Sequence, residues 1–437
     1  MVKGETIWTA GTLRYTKGGL IVLFVWLLGN DLCLMLMEQV APQLTPLLLK
    51  NHGASNQDIA FYTATLGTAL TIWINPFVST WSDRHRGPYG RRRPFLLFAA
   101  PICAVLLAAI PCVPHLAGFF GLSATSGVIM LIGACYIAYA VFNSVILAIF
   151  NYYFWDVVPE PLLGRFTSLT KVVSTIATFI WNYFLFGLAE KHMEVIYIGV
   201  AAFFLVLYLL SLWQVKEGDY PPPDVRQKKG LFASVRIYLV ECFGQSYYLW
   251  VYGAMAAYQV GNLSSVVYQN FYLMDSLGLS WDIIGKMRAW PAVLIVLLAY
   301  PLGVLIDRLK PVRMVPPALL LWSLVNLFSF FYLRDPLSLL ICSSLMAIAS
   351  FIFAVSFAVM NVEVFPREKL GQFCSATAIT YQIICILVAV PLGMLFDHLK
   401  DYRYTYLWSS LFDALAALLF FKVYCNWKRV RGHTHLD

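Results

Sequence analysis

Apolar stretches long enough to cross a bilayer recur along the whole of this 437-residue chain, and no other feature limits its fold so severely. A spanning helix needs about 20 mostly apolar residues, because in lipid every backbone N–H and C=O must be satisfied inside its own element. Twelve such stretches can be drawn: 20–48, 57–81, 94–114, 125–154, 165–188, 195–214, 246–273, 282–306, 314–333, 337–361, 370–396 and 404–423. Composition agrees. Hydrophobic residues make up 60% of the chain and charged ones only 12%, against about 25% charged in a soluble domain. The expected fold class is therefore all-α: a membrane protein with twelve transmembrane helices in two pseudo-symmetric six-helix bundles.

The bundles are expected at 1–214 and 246–437, the second ending in a basic tail. Between them, 215–245 opens with VKEGDYPPPDVRQKKG, rich in proline and charge, and continues as an amphipathic stretch from Leu231 to Gly244 suited to a membrane surface. The halves repeat. At a shift of 207 residues, Asp156 matches Glu363, Pro159 matches Pro366, Gly164 matches Gly371, Phe166 matches Phe373 and Glu190 matches Asp397. Span two ends in Asp83-Arg84 and span eight in Asp307-Arg308. Parallel repeats of this kind suit alternating access around a midplane site.

Charge sets the expected orientation. With both termini in the cytoplasm, about 23 Lys and Arg fall on the inner side and about 5 on the outer. The excess of 31 Lys and Arg over 23 Asp and Glu is thus a topology signal, and no nucleic-acid partner is expected. The polar start MVKGETIWTAGTLRYTKGG lacks an early apolar core, so no cleaved signal peptide is expected. Nine scattered cysteines offer no CxxC pair and no disulfide framework. The seven histidines have no metal-ligand spacing, and there is no Walker loop to use ATP. Catalysis, metal and cofactor are not expected; an ion gradient or downhill flux is.

The loop after span two reads NPFVSTWSDRHRGPYGRRRPF, residues 75–95. It resembles the signature loop of the major facilitator superfamily, an Asp-Arg element followed by Gly-Arg-Arg. More narrowly, SDR followed by GRRRPF is similar to the sucrose-transporter-like and glycoside–pentoside–hexuronide cation symporter branches. The likeness runs over the whole chain, including PLGVLIDRLK and PEPLLGR. It implies a small-molecule substrate, a sugar or glycoside, moved with H⁺ or Na⁺ by a monomer in the cytoplasmic (inner) membrane. On this resemblance Asp83, Arg84, Arg91, Arg92, Asp307 and Arg308 form a cytoplasmic gate; the same charges also serve simply as topology anchors.

Ionisable groups at membrane depth are costly and face a cavity, a partner or water. Asp31 and Glu38 in span one lie seven residues apart, hence on one face, and are the expected ion-coupling carboxylates. Pro42 and Pro46 are expected to break that helix further on. Span five carries Lys171, Thr175, Thr178 and Asn182 on one stripe. Lys171 either pairs with Asp31 or Glu38, binds a hydroxyl, or snorkels to the interface; symporters of the resembled group use a basic residue in this region. Span seven supplies Gln259, Asn262, Gln269 and Asn270, with Tyr252, Tyr258, Tyr268 and Tyr272 among them. Amides hydrogen-bond hydroxyls without burying charge, so these residues are expected to bind substrate, together with Asn182, Trp181 and Gln382. Asn and Gln equally serve to glue helices together. Asp413 stands isolated in span twelve, and Asp282 with Lys286 reads as an i, i+4 pair. Three functions fit these residues: a proton-coupled sugar symporter, a facilitator or exporter of a drug, nucleoside or organic anion, and a membrane receptor.

Overall fold

The computed structural model describes residues 8–87, 89–119, 125–218, 231–366 and 369–433. The chain divides into two compact units, Met1–Val225 and Arg226–Asp437. Unit 1 opens with a feature the sequence did not suggest, a hairpin of β1 (Trp8–Ala10) and β2 (Leu13–Tyr15). Gly11 supplies, at φ +58°, the positive φ that a two-residue turn needs at its first central position. Thr16 then caps α1 (Lys17–Asn51), its hydroxyl accepting from the Gly19 amide at 3.2 Å.

The rest of unit 1 comprises α2 (Asn56–Ala60), α3 (Gly67–Arg84), α4 (Arg93–Ala109), α5 (Val113–Phe119), α6 (Thr125–Val157), α7 (Leu163–Ile180) and α8 (Phe186–Gln214). A π-helical stretch, Phe61–Leu66, joins α2 to α3, and another, Trp181–Leu185, joins α7 to α8. Unit 2 holds α9 (Leu231–Phe243), α10 (Ser246–Phe271), α11 (Trp281–Leu309), α12 (Pro311–Tyr332), α13 (Pro336–Val364), α14 (Leu370–Leu399) and α15 (Tyr404–His433). Among the described residues nine helical stretches are long and apolar enough to cross a membrane. One of these, Glu160–Gln214, runs for 55 residues, enough for two crossings, and its backbone leaves helical geometry at His192 (φ −129°, ψ 42°). With Asn56–Arg84 and α10 included, each of the twelve predicted spans falls on a helix.

The helices expose large apolar side chains that water would not tolerate in such number: Trp73 81%, Leu297 72% and Leu387 68%. Against lipid there is no hydrophobic drive between helices, so polar side chains and small residues fasten them. In unit 1 the Asn30 amide donates to Ser211 at 2.8 Å and Thr45 meets Tyr197 at 2.8 Å, stitching α1 to α8. In unit 2 Ser264–Thr405 (2.8 Å) and Ser265–Ser409 (2.9 Å) fasten α10 to α15, while Asn326 donates to Asp413 at 3.0 Å from α12. Asp413, which looked isolated in sequence, is therefore part of a buried seam.

Each unit repeats the other's local geometry. The helices α6 and α13 end at Val157 and Val364, and α7 and α14 begin at Leu163 and Leu370, both pairs at the 207-residue shift. Phe166 packs on Phe24 and Phe154 at 5.1 and 5.3 Å between ring centroids; its counterpart Phe373 packs on Tyr248 and Phe365 at 4.6 and 5.4 Å. One expectation fails. The helix α1 continues through Pro42 and Pro46 to Asn51, since a spanning helix packed among neighbours tolerates proline.

Candidate functional site

The two acidic residues of α1 share a face but not a neighbour. Asp31 is half-buried, and its Oδ2 is shielded from solvent without a hydrogen-bond donor among the described residues. Lys171 of α7, which packs on α1, lies within electrostatic range of that carboxylate, yet no ion pair forms between them among the described residues. Glu38, one turn-pair further along, receives the Asn143 amide of α6 on its Oε1. The carboxylates therefore separate into an under-satisfied one facing a lysine and a hydrogen-bonded one facing an amide.

The stripe on α7 is largely self-satisfied. Thr175 donates to the Lys171 carbonyl, Thr178 to the Ser174 carbonyl and Asn182 to the Thr178 carbonyl, each at 2.9 Å. Such i−4 bonds meet the polar demand inside the helix, which leaves the Lys171 ammonium as the stripe's outward-reaching group. Trp181 is fully buried, edge-on to Phe186 at 5.8 Å, and Asn182 is 7% exposed. In this conformation neither is presented to a ligand.

In unit 2 the amides of α10 divide likewise. Gln259 hydrogen-bonds Tyr381 of α14, next to half-buried Gln382, and Asn262 is half-buried. Gln269 donates to the Tyr406 hydroxyl at 3.1 Å. Asn270 is buried and accepts from Arg288 of α11 at 2.6 Å, a residue inside the stretch 282–306 that was not singled out from sequence. Three of the four tyrosines are core side chains: Tyr252 donates to the Cys242 carbonyl, Tyr272 to the Leu333 carbonyl, and Tyr268 packs on Phe396 at 4.4 Å. Asp282 and Lys286 form their helical pair at 2.7 Å.

In the arginine loop, two carboxylates that the sequence did not single out for this role, Asp156 and Glu217, meet the arginines. The side chains of Asp83, Arg84 and Asp307 lie outside the described residues, and Arg308 is exposed. Arg91 and Arg92 find their carboxylate in Asp156, at the end of α6: Arg91 Nη2 lies 2.8 and 2.6 Å from its two oxygens, and Arg92 Nε lies 3.3 Å away. Arg92 also donates to Ser82 at 2.8 Å and stacks over Tyr152 at 4.8 Å. A second carboxylate, Glu217, follows α8 and caps the start of α4, accepting from the amides of Arg91, Arg92 and Arg93 at 2.6, 2.8 and 2.7 Å. The positive helix terminus and its unpaired N–H groups suit an anion there. Burial pushes the Glu217 carboxyl above its ordinary value; the three amides act against this and the Asp156 charge with it. The sequence signal for Glu217 was an acidic residue just beyond span six, 124 to 126 residues from its partner amides.

Comparison with known proteins agrees with this architecture. The family model described as the Major Facilitator Superfamily matches residues 249–434. No curated protein matches the chain. Among solved structures, an inward-facing bacterial homologue of the iron transporter ferroportin is 16% identical, covering 93% of this chain and 99% of its own, with TM-score 0.70. A nucleoside transporter is 14% identical over 92% of this chain and 98% of its own, with TM-score 0.64. A D-xylose–proton symporter is 15% identical over 92% and 98%, with TM-score 0.65. The chain has the major facilitator fold.

Proposed function

We propose that the protein is a secondary transporter of the major facilitator superfamily, a proton-coupled sugar or glycoside symporter of the inner membrane that works by alternating access. The observation that carries this reading is Asp31, with a buried oxygen lacking a donor and a lysine in electrostatic range but out of contact. A proton on that oxygen removes the shielded charge; loss of the proton leaves a charge for Lys171 to answer, and this is the elementary act of coupling. Glu38 and Asn143 offer a second protonatable pair. In unit 2 the half-buried Gln259, Asn262 and Gln382 supply donors and acceptors for hydroxyl groups. The D-xylose–proton symporter among the similar structures and the SDR…GRRRPF string support the sugar assignment.

Uptake into proteoliposomes under an imposed pH gradient tests it. Wild type accumulates labelled sugar, whereas Asp31→Asn retains counterflow but loses gradient-driven accumulation by roughly tenfold or more. Full pH-driven accumulation by Asp31→Asn sinks proton coupling through that residue. The second reading is a facilitator or exporter of another small molecule, supported by the same fold in a nucleoside transporter. Flux of nucleosides, drugs or organic anions with no response to sugars or to pH selects it.

A further inference from the structure

Among the described residues of unit 2, Arg288 is an ionisable side chain at membrane depth that the symporter reading leaves unused. It sits seven residues into α11, about 10 Å along the axis, on a helix whose other early cation, Lys286, is paired with Asp282. Its Nη1 donates to Asn270 Oδ1 at 2.6 Å, and the neutral phenol of Tyr406 lies within electrostatic range. Among the described residues no carboxylate pairs with it. A guanidinium has five N–H donors and no acceptor, so a single neutral oxygen leaves most of the fork unmatched. The side chain is half-buried, shielded enough for its charge to matter and open enough to be reached. A cation at membrane depth normally has a counter-charge or a ligand; Arg92 in unit 1 shows the ordinary solution, with Asp156 and Ser82.

We propose that Arg288 is an anion-binding site and that the solute recognised by unit 2 carries a carboxylate or phosphate group. The planar fork accepts two oxygens of either group at once. Asn270 is the positioning residue: its amide oxygen fixes the guanidinium without neutralising it, which an aspartate in the same place would do. Gln269, tied to Tyr406 at 3.1 Å, braces the neighbouring position on α10. As a statement about cargo this rests on the transporter reading; as a statement about binding it does not.

Thermal-shift and calorimetric titration of the full-length protein in phosphatidylcholine nanodiscs separate the two. D-glucuronate and glucose 6-phosphate, with D-glucose as the neutral control and inorganic phosphate as the bare anion, are the probes. The acidic sugars bind more tightly than glucose, and Arg288→Gln weakens them by roughly tenfold to a hundredfold while glucose is unaffected. Asn270→Asp, which keeps the arginine and the local volume, abolishes the anion preference as well, and Arg288→Lys restores part of it. Equal affinity for glucose and the acidic sugars in wild type, or anion binding that survives both Arg288→Gln and Asn270→Asp, overturns the site. Gradient-driven glucose uptake by a wild-type protein that shows no preference for the acidic sugars overturns the site and leaves the transport reading standing. Anion binding lost with Arg288 in a protein that moves no solute under any gradient upholds the site and removes the transporter.

Discussion

Half-buried Asp31 and buried Asp413 are both carboxylates on spanning helices, and a single neighbour decides what each can do. Asp413, 2% exposed, is met by the Asn326 amide at 3.0 Å in the seam of α10, α12 and α15. Removing only the amide strands a buried acceptor, which costs about 1–3 kcal/mol. Asn326→Leu is therefore expected to lower the thermal midpoint in detergent, and Asn326→Leu with Asp413→Leu to recover most of the loss, since replacing both partners by apolar groups can be close to neutral. A double variant no more stable than the single one would show that Asp413 does more than hold helices. Asp31 has no such amide, and so it is the residue proposed to carry the proton.

Among the elements, close approach of α10 to α15 depends on Gly261. A Cβ there would stand 3.1 Å from Phe412 Cβ and 3.2 Å from Asp413 Oδ1. The first is fixed to the backbone and the second is held by Asn326, so neither can withdraw. Gly261→Ala is expected to destabilise the protein by about 1–3 kcal/mol as overpacking, read as a fall in thermal midpoint; an unchanged midpoint would mean the helices separate freely. The Glu217 cap on α4 has a pH signature. Because its native pKa is raised by burial, the folded state holds the proton more tightly than the unfolded chain. Its contribution to stability is thus fully present below the ordinary value of 4.5 and is lost as pH rises through the native pKa. Glu217→Gln should flatten that part of the stability profile, measured by thermal unfolding across a pH series. A slope identical to wild type would place the titration elsewhere.

For the whole molecule, the apolar side chains exposed on α3, α11 and α14 define a protein whose outer solvent is lipid. The concentration of Lys and Arg in alternate loops gives its expected orientation. In a cysteine-free background, replacing all nine native cysteines, a cysteine at Ser55 is expected to react with an impermeant maleimide on intact cells. One at Arg86 is expected to react only after permeabilisation. The opposite pattern would invert the topology and with it the cytoplasmic placement of the arginine loop.

Sequence alone determined what depends on local composition and spacing. Helical class follows from apolar length, because a bilayer admits few alternatives to a helix. The duplication was legible in PEPLLGR and PREKLGQ, and the structure aligns the helix ends there residue for residue. The i, i+4 pair of Asp282 and Lys286 was legible too, since both partners lie on one helix. Only tertiary structure decided the pairings that cross helices: Asp156 and Glu217 with the arginine loop, Asn143 with Glu38, Asn270 with Arg288. Those partners lie up to 126 residues apart, and periodicity fixes which face a side chain occupies without fixing which helix arrives opposite it. That choice is made by packing, where small and polar residues select the neighbour.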